Sequence, residues 1–142
     1  MKKYYLSLAV LFKKAMESRV ATAVEKKRTC NCAQAVVCSY GDVTGLSEAQ
    51  SMALAAPLGL GMGNMKGTCG ALTGAALVLG SQFPDKGIAM KKMARILQKF
   101  QQRNGAIQCC QLKGVDTGVV LRDCYDCVAD ACEFLEQELD VR

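Results

Sequence analysis

The chain has 142 residues, 51% of them apolar and 22% charged, which is one domain's worth of sequence with enough apolar surface to offset the entropy of ordering a core. It contains nine cysteines but no histidine, no tryptophan and only 6% aromatics. That composition removes imidazole-based catalysis, haem attachment through Cys-x-x-Cys-His and mixed Cys/His zinc sites, and it leaves a poor stacking platform for single-stranded nucleic acid.

The net charge of +5 is unevenly spread. Residues 1–30 and 86–103 are basic and the last twenty are acidic, which reads first as solvated helix faces and second as helices facing one another, or a second copy of the chain, with little to favour nucleic acid. Met1 to Lys14 resembles a signal peptide in its first three residues. Its apolar run is then closed by Lys13-Lys14 with no small-residue cleavage site. No run approaches the roughly 20 apolar residues of a membrane span. The sequence therefore predicts a cytoplasmic protein without a membrane span, in which thiols stay reduced and serve as ligands, redox groups or core fillers.

Nearly every segment reads as helix, and the predicted class is all-α: one domain over 1–142, a compact bundle of five to six short helices with a glycine-rich loop. An amphipathic helix occupies residues 4–27, with Leu8, Leu11, Phe12, Ala15 and Met16 as its apolar stripe. Asn31 caps a helix over Cys32 to Tyr40, with Gln34 as the reciprocal partner, and Gly41 to Gly45 closes it. Ser47 and Gln50 repeat the capping logic for a third helix that stops before Pro57. Residues 57–67 form a loop with four glycines. No strand precedes this loop, and Lys66 is followed by Gly, so neither a P-loop nor a dinucleotide fingerprint is present. A fourth helix starts near Cys69, behind Thr68 as cap, and ends at Gly80. Its Gly70, Ala71, Gly74, Ala75 and Ala76 allow close helix packing and leave room beside Cys69. Asp85 caps the fifth helix, which runs to Asn104-Gly105. A short Cys109-Cys110 segment leads to the last helix, Asp123 to Leu139, with its acids on the outer face.

Cys32, Cys69, Cys124 and Cys127 fall at helix starts, where free N–H groups and the helix dipole favour thiolate. Cys38 and Cys132 lie deep in their helices and read as core. Cys124-x-x-Cys127 is a weak motif alone, and adjacent Cys109 and Cys110 do not easily point the same way, so one is expected to face the centre and the other to pack elsewhere.

The runs Asn31-Cys32-Ala33-Gln34-Ala35-Val36, Ala55-Ala56-Pro57 and Cys69-Gly70-Ala71-Leu72-Thr73-Gly74 resemble the C_GCAxxG_C_C family of redox-active proteins, whose central motif reads Cys-Gly-Ala-x-x-Gly. Cys109-x-x-Leu112-x-Gly114 and Cys127-Val128-x-Asp130-Ala131 resemble its two C-terminal cysteine blocks, and the likeness covers residues 31–138. The iron-sulfur region of split-Soret cytochrome c is similar too. Residues 16–29 look inserted relative to the family. The resemblance implies a helical redox module with four characteristic cysteines, which correspond to Cys32, Cys69, Cys109 and Cys127. The alternatives Cys110 for Cys109 and Cys124 for Cys127 remain open. The first expectation is that these four ligate an iron-sulfur cluster of the two-iron type for electron transfer or sensing with a redox partner protein; a closed zinc site would use the same ligands. The second is a thiol-disulfide oxidoreductase working through reversible cysteine pairs. The third is an interaction module whose cysteines only pack.

Overall fold

A computed structural model describes residues 19–139 together with Leu8, Val10 and Leu11. Most of the predicted first helix, including Phe12, Ala15 and Met16, lies outside the described residues; residues 19–26 are helical and are called α1. There follow α2 (Cys32–Cys38), α3 (Gly41–Thr44), α4 (Glu48–Ala55), a 3-10 turn (Ala56–Leu58), α5 (Gly59–Met62), α6 (Gly70–Gln82), α7 (Lys86–Asn104), α8 (Cys109–Lys113) and α9 (Cys124–Glu138). The chain is all-α: among the described residues there is no strand, only one isolated antiparallel bridge between Thr68 and Gln108.

Helices outnumber the expected five to six because two stretches read as loops contain helical turns. Gly41–Thr44 forms a turn of helix closed by left-handed Gly45. The glycine loop contains the 3-10 turn and α5, and Leu60, Gly61, Met62 and Gly63 all have positive φ, from 53° to 89°.

Local chemistry sets most helix starts. At α2, Asn31 Oδ1 accepts from Gln34 N at 2.9 Å while Gln34 Oε1 accepts from Asn31 N at 3.1 Å. Ser47 and Gln50 make the same reciprocal pair at α4. Asp85 and Asp123 accept from Ile88 N and Asp126 N at α7 and α9. Each cap satisfies N–H groups that have no partner within the helix. At α6 the cap is Cys69 itself, not Thr68.

The core is built from α2, α6 and α9, with α4 packed on α2 and α7 on α9. Val36, Leu72, Val78, Val128 and Leu135 are wholly buried there. The small face of α6 lets α2 approach: a Cβ on Gly74 would lie 2.9 Å from Ala33 O and 3.0 Å from Ala33 Cα. The basic and acidic segments meet within one chain. Arg95 Nε lies 2.7 Å from Glu138 and Arg103 Nη1 3.0 Å from Asp130, joining α7 to α9. Arg19 Nη1 reaches Glu136 Oε1 at 3.1 Å, and the buried Tyr40 hydroxyl donates to the same oxygen at 3.0 Å. Asp130, Glu136 and Glu138 are therefore buried rather than on the outer face of α9. Burial of these acids is tolerated because each faces a cation. Among the described residues no helix is long and apolar enough to cross a membrane.

Candidate functional site

Four helix starts bring sulfur to one place. Cys32 is the first residue of α2, Cys69 the N-cap of α6, Cys109 the first residue of α8, and Cys124 and Cys127 the first and fourth of α9. All five line a single cavity of about 70 Å³, together with Lys27, Asn31, Leu60, Gly70, Leu112, Lys113 and Arg122.

Backbone contacts over the cavity fix this convergence. Cys69 N donates to Ile107 O at 2.8 Å and Cys109 N to Gly67 O at 3.0 Å, which lays the start of α8 beside that of α6. Cys110 N donates to Met65 O at 2.8 Å. Asn31 Nδ2 donates to Ala56 O at 3.1 Å, tying the start of α2 to the segment that enters the loop. Gly61 has φ 55°, and a Cβ there would stand 2.6 Å from Cys109 Cβ. Only glycine allows the loop to lie against that cysteine.

The sulfurs are organised in pairs. Cys32 interacts with Cys124 and Cys69 with Cys127, and the Cys127 thiol donates to Arg122 O at 3.9 Å. The interaction with Cys32 outweighs burial and, with Lys113 and Lys27 nearby, pulls Cys124 down to about 5. Lys113 also hydrogen-bonds Cys124. Cys69 is lowered by its interaction with Cys127, against burial, and further by the backbone N–H groups of Ala71 and Leu72 at the open end of α6. Their partners move the other way: Cys32 is raised by its interaction with Cys124 and by burial, and Cys127 by its interaction with Cys69 and by burial. Each pair thus joins a thiol drawn downwards, Cys124 or Cys69, to one pushed upwards, Cys32 or Cys127. Cys109 faces the same cavity outside either pair, and burial raises it. Among the described residues, no three Cys, Asp or Glu side chains cluster closely enough to hold one metal ion.

The cavity gathers Cys32, Cys69, Cys109 and Cys127. Cys110 does not line it, and Cys124 lines it alongside Cys127 instead of replacing it. Cys132 is wholly buried in the core. Cys38 is half-buried rather than core, and with Cys30 it lines a separate cavity that includes Lys26, Glu48 and Met52. Sequence reasoning missed Lys27 and Lys113. Lys113 carried a signal, since it lies four residues after Cys109 and so one helical turn away; Lys27 carried none.

A family profile described as "Putative redox-active protein (C_GCAxxG_C_C)" matches residues 30–138. The chain belongs to this family. No curated protein and no solved structure matches it.

Proposed function

We propose that the protein is a thiol redox module whose working groups are two dithiol pairs, Cys32/Cys124 and Cys69/Cys127. The observation that supports this reading is the convergence of these four sulfurs on one cavity, with one thiol of each pair drawn below its ordinary value beside its partner. Dithiol-disulfide exchange needs an ionised attacking sulfur with a second sulfur in reach to resolve the mixed disulfide. Cys124 and Cys69 supply the first group, and Cys32 and Cys127 the second. Closing both pairs releases four electrons to an acceptor. Counting reactive thiols in the unfolded, anaerobically prepared protein before and after mild oxidation tests the reading. A loss of four, restored by a reductant, is expected, with a loss of two in Cys69→Ser. An unchanged count contradicts it.

The same pairing favours a second reading. A two-iron cluster takes two cysteine sulfurs on each iron, and the donor set here is all soft sulfur beside a small cavity. Cys32, Cys69 and Cys127 would hold such a cluster, with Cys109 or Cys124 as fourth ligand, and the group would supply one-electron transfer to a partner protein. A zinc site would need four sulfurs around one ion, all about 3.8 Å from one another for bonds of about 2.3 Å. Iron and acid-labile sulfide in equal amounts after anaerobic purification, with visible charge-transfer absorption lost in Cys69→Ser, would establish this second reading. A colourless, iron-free protein would leave the dithiol reading.

A further inference from the structure

The thiol cavity is ringed by cations. Its lining includes Lys27, Lys113 and Arg122 and no carboxylate. Arg122 is engaged by Asp130 and Asp126, but among the described residues neither Lys27 nor Lys113 forms an ion pair with a carboxylate. Lys27 lies over the exposed ring of Tyr125, 5.5 Å from its centroid, next to Cys124 in the chain. At about 70 Å³ the cavity admits the sulfurs of a small disulfide but not its substituents, which must rest on the rim beside the two lysines.

From this we infer that the site reacts preferentially with small disulfides carrying carboxylates. The inference rests on the dithiol reading. In the first step the Cys124 thiolate attacks one sulfur of the substrate. The substrate S–S bond breaks, a Cys124–substrate disulfide forms, and the first half leaves as a thiolate. In the second, Cys32 passes its proton to that thiolate and attacks Cys124 Sγ, displacing the other half as a thiolate. The protein ends with a Cys32–Cys124 disulfide, and two electrons have passed to the substrate. Throughout, the carboxylates stay near Lys27 and Lys113. Fixed charges at a cleft raise encounter rates about tenfold or more, and salt suppresses the effect.

The test uses the full reduced chain and three alkyl disulfides: 3,3′-dithiodipropionate (dianionic), bis(2-hydroxyethyl) disulfide (neutral) and cystamine (dicationic). Each second-order rate is divided by that of dithiothreitol with the same disulfide, which removes intrinsic reactivity. The expected order is dianion, neutral, dication, with a dianion-to-neutral ratio of about ten at low salt that collapses towards one in 1 M salt. Lys27→Gln is expected to lower that ratio several-fold. Equal rates, or a faster dication, would overturn the charge preference while leaving dithiol exchange intact. If none of the three reacts, both the inference and the dithiol reading fail.

Discussion

The ionisation of Cys124 offers the sharpest quantitative consequence of the site. With the thiol drawn from its ordinary 9.0 to about 5, roughly 99% is thiolate at pH 7, against about 1% for an ordinary thiol. At pH 6 the corresponding fractions are about 90% and 0.1%. Nucleophilicity falls as the pKa falls, with a Brønsted slope of about 0.4–0.5, so four units remove roughly 60-fold of that 900-fold advantage. Cys124 should therefore still alkylate roughly tenfold faster than an exposed, unperturbed thiol at pH 6. Because Cys32 is the larger cause of the shift and Lys113 the next lowering one, Cys32→Ala should move the midpoint up further than Lys113→Gln. The assay is iodoacetamide labelling across pH 4–10, read at Cys124 by fragment-ion mass spectrometry. A wild-type midpoint near 9, or a larger shift from Lys113→Gln than from Cys32→Ala, would refute the pairing argument.

Four other consequences concern stability. Gly74→Val pushes a branched side chain onto the Ala33 backbone and should lower unfolding free energy by about 3 kcal/mol in urea titrations. Gly80→Ala, in the same helix with nothing within 4 Å of its added carbon, should raise it by about 0.5–1 kcal/mol. Asp130 would be raised by burial alone, but hydrogen bonds from Arg122, Asn104 and Arg103 hold it below the ordinary carboxylate value. The bond from Arg95 likewise holds Glu138 down against burial. Carboxyls lowered in this way contribute stability that is present above the unfolded-state value and lost as pH falls through the folded one. Urea midpoints should therefore drop as pH falls below about 4, and Asp130→Asn should flatten that drop; an acid limb identical to wild type would contradict the assignment. Cys132→Ala, in the apolar core, should cost about 1 kcal/mol without changing the pH midpoint at Cys124, and a moved midpoint would tie this core sulfur to the site.

Where a helix start is written in adjacent residues, the sequence predicts it: Asn31 with Gln34, Ser47 with Gln50, and Asp85 all cap as expected, and Asp123, read as the first residue of the last helix, is its N-cap. The left-handed turn at Leu60–Gly63 was not legible. Its conformation is held by Gly67 N donating to Gly61 O at 2.9 Å and by Cys109 lying against Gly61, and no local pattern encodes either contact. The acids of α9 look solvated in sequence because their partners, such as Arg95 for Glu138, lie more than forty residues away. The gathering of Cys32, Cys69, Cys109 and Cys127 could be anticipated from the family likeness. The likeness also points to Cys109 with Cys110 as the alternative, and only Cys109 lines the cavity, while Cys110 N donates to Met65 O. The partnership of Cys32 with Cys124 could not be anticipated, because both Cys124 and Cys127 sit in the first turn of α9 and only the packing of α2, α6 and α9 distributes them between Cys32 and Cys69.

Peptide mapping of the mildly oxidised native protein under non-reducing conditions probes this arrangement most directly. Cross-linked fragments joining Cys32 to Cys124 and Cys69 to Cys127, with Cys109 and Cys132 still alkylatable after unfolding, are the expected result. Bridges confined to Cys30 and Cys38, or a random mixture of partners, would contradict the paired-thiol site.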